Sequence, residues 1–184
     1  ITKVFSLIGG HAMHLNDAFG NCKDLSVYYT HHEQSAAMAA EAYTRINNEP
    51  AIVCVTSGPG AINALNGVLG AYLDSIPMIV ISGQPKSSLT CSAVGTDIRQ
   101  LGDQEFDRIT ECVQHMTKYA ATIKHVELLD YELSKAWDFA VNGRPGPVWL
   151  DVPMDIQGAE VQKISKFNDY QPGYRIEEVN KEPS

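Results

Sequence analysis

Short apolar runs alternate with helix-period stretches along most of this chain. The runs, at residues 4–8, 27–30, 51–56, 78–82, 120–123 and 148–152, are rich in Val, Ile and Leu and lack strict apolar–polar alternation. Strands buried on both faces read this way, so the pattern predicts a parallel sheet. Between the runs the spacing predicts helices over 11–19, 35–46, 61–73, 103–113 and 126–142. Turn residues fall at the joins: Gly9-Gly10, Gly58-Pro59-Gly60, Gly83-Gln84-Pro85 and the stretch from Gly143 to Pro147. Successive βαβ units of this kind predict an α/β fold, a doubly wound, mostly parallel sheet with helices on both faces.

From about residue 157 the apolar density falls and a charged, turn-rich stretch with Pro172-Gly173 runs to the end. Residues 1–157 are therefore read as one domain, and 158–184 as a linker toward a following domain. The chain opens on Ile1, directly before a strand-like run, and reads as a piece of a longer polypeptide, the alternative being the small subunit of a split protein. A length of 184 residues suits one well-buried core plus a tail.

Composition narrows the function classes. With 44% hydrophobic and 20% charged residues the chain has the make-up of a packed globular domain. Its net charge of -8 disfavours attraction to nucleic-acid phosphates or anionic lipid, so neither a nucleic acid nor a membrane is expected as partner. No apolar stretch reaches the roughly 18 residues of a membrane span. The four cysteines, Cys22, Cys54, Cys91 and Cys112, show no C-x-x-C spacing, and Cys54 sits within an apolar run. A reducing, cytoplasmic setting fits that usage.

In open α/β sheets ligands bind beyond the carboxyl ends of the strands. Three loops there carry polar chemistry: Gly9-Gly10-His11, His31-His32-Glu33-Gln34, and Thr56 to Asn63. Glu33 stands out, because it follows a strand run and precedes Ser35-Ala36-Ala37-Met38-Ala39-Ala40, a helix start with small faces. Apolar surroundings would favour its neutral form, whereas the helix N-terminus would favour its charge. The plainer alternative is a solvated helix-start glutamate. The stretch Gly58 to Asn63 partly mimics G-x-G-x-x-G, but Asn63 replaces the third glycine and no acid closes the next strand. That weakens a dinucleotide-binding oxidoreductase reading and leaves a tight turn beside a flat ligand, or a plain strand-to-helix turn. His11 with His14, and His31 with His32, lack a third ligand, so no metal is expected on this chain. Neither H-E-x-x-H nor G-x-S-x-G occurs.

Read together, Tyr29 to Ala36 and Ala40-Glu41-Ala42-Tyr43-Thr44-Arg45 resemble the segment in which a histidine–glutamate pair precedes an alanine-rich helix ending A-E-G-Y-A-R. The likeness continues through Val55 to Asn63, Leu73-Asp74-Ser75-Ile76-Pro77, Ile81 to Gln84, Gly95-Thr96-Asp97, Thr117-Lys118-Tyr119 and Gly143 to Val148, covering residues 4–157. This order of motifs is similar to the N-terminal, pyrimidine-binding domain of thiamine-diphosphate-dependent enzymes of the acetolactate synthase, benzaldehyde lyase, oxalyl-CoA decarboxylase and pyruvate oxidase family.

The resemblance implies the thiamine-diphosphate-binding fold and a role for Glu33 as the acid that hydrogen-bonds the aminopyrimidine nitrogen. It promotes the imino tautomer that deprotonates thiazolium C2 for attack on a 2-oxo acid such as pyruvate. It places Thr56, Pro59, Gly60 and Asn63 along the pyrimidine pocket, Gly9 and Gly10 beside it, and Ile8 and Gln104 on the substrate side. Ile8 stands where acetolactate synthases usually carry proline and benzaldehyde lyase a histidine. The family's G-D-G with its downstream asparagine is absent from the sequence, so Mg2+ and the diphosphate would be held by another domain, in the family that of a second subunit. A homo-oligomer, dimer or tetramer, with a decarboxylase or carboligase activity follows from the resemblance, and FAD in a later domain is compatible with it. The rival from a different class is a noncatalytic dimerisation module of the same fold.

Overall fold

The computed structural model describes residues 1–95, 99–100 and 106–161. All six apolar runs are strands: β1 (Lys3–Ser6), β2 (Ser26–Tyr29), β3 (Ala51–Val55), β4 (Met78–Gln84), β5 (Tyr119–Thr122) and β6 (Pro147–Pro153). They form one all-parallel sheet in the order β2-β1-β3-β4-β6-β5. The helices are α1 (Met13–Asn21), α2 (Glu33–Asn47), α3 (Pro59–Asn63), α4 (Leu65–Leu73), α5 (Cys91–Val94), α6 (Ile109–Val113), α7 (Leu129–Val141) and α8 (Met154–Gln157), with 3-10 turns at Gly10–Ala12, Ser87–Leu89 and Val126–Leu128.

Strand alternation sorts the core into two layers. Ala51, Val53, Val55, Val80 and Trp149 point to one face, where Ala36, Ala37 and Ala40 of α2, Val68 and Ala71 of α4, and Ile109 and Val113 of α6 cover them. Ile79, Ile81, Val148, Leu150 and Val152 point to the other, under Ala136, Phe139 and Ala140 of α7 and Leu15 and Phe19 of α1. Right-handed crossovers require this division, because connections that move one way along a sheet must lie on one face. The central strands β4 and β6 are buried along their whole length, as their near-continuous apolar sequence predicts.

Three expectations change in detail. The helix expected over 61–73 is two, α3 and α4, parted at Ala64, whose N–H bonds back three residues to the Ala61 carbonyl in a tightened turn. β4 runs two residues past Ser82, through the Gly83 and Gln84 read as a turn, because the His11 carbonyl lies against Gly83. A Cβ there would fall 1.9 Å from that oxygen, so only glycine lets the strand continue beneath it. Of the helix expected over 103–113, α6 is the part within the described residues. The proposed linker, from residue 162 onward, lies outside them.

Candidate active site at the strand-order reversal

From β1 the chain steps outward to β2 and then returns across β1 to β3, so the order reverses between β1 and β3. A crevice outside the carboxyl ends of those two strands is where such sheets take ligands. The loops after β1, β2 and β3 all open there.

Glu33 is the first residue of α2 rather than two residues ahead of the helix, with extended His32 as N-cap. Its side chain is half-buried. Asn63, the last residue of α3, donates from Nδ2 to Glu33 Oε2 at 2.7 Å, and the same Nδ2 lies 3.2 Å from His32 Nε2. Glu33 Oε1 faces Gly60, where a Cβ would sit 3.1 Å from that oxygen and 2.7 Å from Thr56 Cγ2. Thr56 is wedged between both glycine stretches: a Cβ on Gly9 would fall 2.3 Å from Thr56 Cβ, and Thr56 Oγ1 accepts from the His11 N–H at 3.2 Å. His11 Nδ1 and the Ser57 hydroxyl are 2.7 Å apart, and the His11 carbonyl accepts from Gln157 Nε2 at 2.7 Å.

Glu33, Thr56, Gly60, Asn63 and Gly9 are thus brought together. Pro59 occupies the exposed first position of α3, and Gly10 has open space where a Cβ would stand. Ile8 lies in the loop after β1, 66% exposed, an unusual cost for an isoleucine at the mouth of a crevice. Gln104 lies outside the described residues. The His11–Ser57 pair was not foreseen: its members are 46 positions apart, and only the adjacency of β1 and β3 joins them. Asp151 was also missed, although an acid inside the apolar run 148–152 is a signal that could have found it. Among the described residues no group of three His, Cys, Asp or Glu could hold a metal ion, and no described helix is long and apolar enough to cross a membrane.

Other shared motifs serve the opposite edge of the sheet. Arg45 of α2 pairs with Glu41 and with Asp74 after α4, while Arg144 Nε donates to Ser75 Oγ at 2.7 Å. These contacts fasten the turns that feed β4 and β6, away from Glu33.

Small residues, a half-buried carboxyl and a carboxamide thus meet at the topological switch point of a parallel α/β sheet. The chain belongs to the thiamine pyrophosphate enzyme family, its residues 1–110 matching the N-terminal TPP-binding domain. Among curated relatives it is 36% identical over 86% of its length to the mitochondrial acetolactate synthase catalytic subunit of Saccharomyces cerevisiae, covering 22% of that protein. It is equally 36% identical over 86% to the acetolactate synthase isozyme 1 large subunit of Escherichia coli, covering 27%, and 38% identical over 92% to the large subunit of Haemophilus influenzae, covering 28%. The chain therefore spans about a quarter of the length of these relatives.

Proposed function

We propose that this chain supplies the pyrimidine-binding half of the active site in a thiamine-diphosphate-dependent 2-oxo-acid decarboxylase or carboligase of acetolactate synthase type. The observation that carries the reading is the placement of Glu33, with Oε2 held by Asn63 and Oε1 facing the bare Cα of Gly60. A recess kept free of side-chain bulk admits a planar ring edge-on to a carboxyl group, and the residues present fit an aminopyrimidine. Gly9, Gly10, Thr56, Pro59, Gly60 and Asn63 would line it. Thiamine diphosphate, when bound, supplies an electron sink for the decarboxylated 2-oxo acid. Glu33 exchanges a proton with the ring nitrogen, acting as the general acid–base group. Asn63 fixes its carboxyl rotamer, and Thr56, gripped between Gly9 and Gly60, keeps the floor rigid.

A pyrimidine ring seated against Glu33 needs a second wall to enclose it. We assign that wall, with Mg2+ and the diphosphate group, to the diphosphate-binding domain of a second subunit, so the working enzyme is a homo-oligomer. Ile8 and Gln104 would face the 2-oxo acid, pyruvate being the first candidate. A cytoplasmic, reducing site of action suits the free thiols of Cys22, Cys54, Cys91 and Cys112.

The test is carbon dioxide release from pyruvate and other 2-oxo acids by the intact polypeptide with thiamine diphosphate and Mg2+. Glu33→Gln is expected to lower turnover by about 10²–10⁴-fold. Cofactor binding without turnover of any 2-oxo acid by the wild-type protein would instead point to a noncatalytic dimerisation module.

A further inference from the structure

Asp151, near the carboxyl end of β6, is fully buried and pairs across the sheet with Ser82 of β4 and Thr122 of β5. Ser82 Oγ donates to its Oδ1 and accepts from the Trp149 indole N–H at 2.8 Å. That chain of bonds occupies one carboxyl oxygen. The other, Oδ2, is buried and meets no donor among the described residues. Gln84, two residues further along β4 and 1% exposed, spends its Nε2 on the Phe106 carbonyl at 3.4 Å. Its Oε1 is likewise buried without a donor.

Two bare acceptors in a dry interior are each costly. Gln84 lies within interaction range of the Asp151 carboxyl, so one proton on Oδ2 turns an orphaned acceptor into a donor for its neighbour. Desolvation by burial favours the proton and is the largest effect on Asp151, outweighing hydrogen bonding from Ser82, Gln84 and Thr122, which favours the carboxylate. β4 contributes Ser82 and Gln84, and β5 contributes Thr122, none of them ionised. The charged residue acting on it, Asp107 in the segment entering α6, is itself negative and also favours the proton.

We propose that Asp151 is a positioning residue that works as a neutral acid, sharing its proton with Gln84, and that ionising it loosens the grip of Gln84 on the Phe106 carbonyl. Phe106 leads into Asp107, whose carboxylate accepts from the N–H and hydroxyl of Ser92 at 3.3 and 3.0 Å. Burial pushes the Asp151 carboxyl up to about 7, which sets the working range. The sign follows from linkage: the folded protein holds a proton that the unfolded chain gives up from about 4 upward. Stability falls as pH rises from there to about 7, and is level above.

The test uses the intact protein carrying Trp137→Phe, so that within this domain Trp149 alone emits. Its fluorescence is expected to titrate with a midpoint of about 7, together with loss of the infrared C=O band of a buried protonated carboxyl. In Asp151→Asn, whose amide reproduces one acceptor and one donor, both changes disappear and the stability advantage over wild type grows through the same window. An infrared band unchanged by Asp151→Asn, or an emission titration that survives it, overturns the proposal. Should the variant fail to fold, the wild-type band decides: absence of that carboxyl signal below pH 7 is equally fatal. No thiamine diphosphate is needed, so failure here is separate from failure of the proposed enzyme activity.

Discussion

Asn63 connects two helix ends 30 positions apart, and it does so at the atom on which the proposed chemistry turns. Removing its amide leaves Glu33 Oε2 without the donor that orients it, so Asn63→Ala is expected to reduce turnover more than cofactor affinity. Gly60→Ala should do the reverse. Its new Cβ would crowd Glu33 Oε1 and the Thr56 methyl, and thiamine diphosphate titration should show binding about tenfold weaker, equivalent to about 1.4 kcal/mol. The sequence placed Glu33 between a strand run and an alanine-rich helix, a position a plain helix-start glutamate also suits, so the resemblance to the family rather than the position suggested its role. Asn63 was singled out in the sequence, but its bond to Glu33 was not legible there, since no spacing rule joins positions in different βαβ units. Asp151 shows the converse: the residue was in plain view within a buried strand, and its significance depends on Ser82 and Gln84 one strand away.

Among the elements, α2 and α4 approach most closely where α2 is alanine-rich. A Cβ on Gly67 would fall 2.6 Å from Ala37 Cβ and 2.9 Å from the α2 backbone, so the two helices would have to part. Gly67→Ala is expected to destabilise the fold by about 1–3 kcal/mol, read from the denaturant midpoint of the intact protein. Strand and helix identities were legible because both faces of the sheet are covered, which keeps the apolar runs free of polar interruption. Their ends were less so. β4 outruns its apolar run because a close backbone approach at Gly83, rather than side-chain burial, decides how far it continues. The break at Ala64 left no mark in the helical period. Some of the motifs by which the chain resembles its family, such as Arg45 with Asp74 and Arg144 with Ser75, turn out to be fastening remote from Glu33.

For the molecule as a whole, burial sorts the thiols. Cys54, enclosed between the layers, has its thiol pushed up to about 12 by desolvation, whereas Cys22 and Cys112 are exposed. A thiol reagent at neutral pH is expected to label Cys22 and Cys112 at once and Cys54 only on unfolding, which makes Cys54 a probe of core opening. The sheet order also bears on how the molecule is made. The loops that meet around Glu33 are complete by residue 63, yet β6, the last of the described strands in chain order, belongs between β4 and β5 in the interior of the sheet. A chain emerging from the ribosome therefore holds the side chains around Glu33 long before it holds the strand that joins its two halves. Until Pro147–Pro153 arrives, β4 presents an open apolar edge, and the slot kept for β6 is the place where a stalled or truncated chain is most exposed to pairing with the wrong partner.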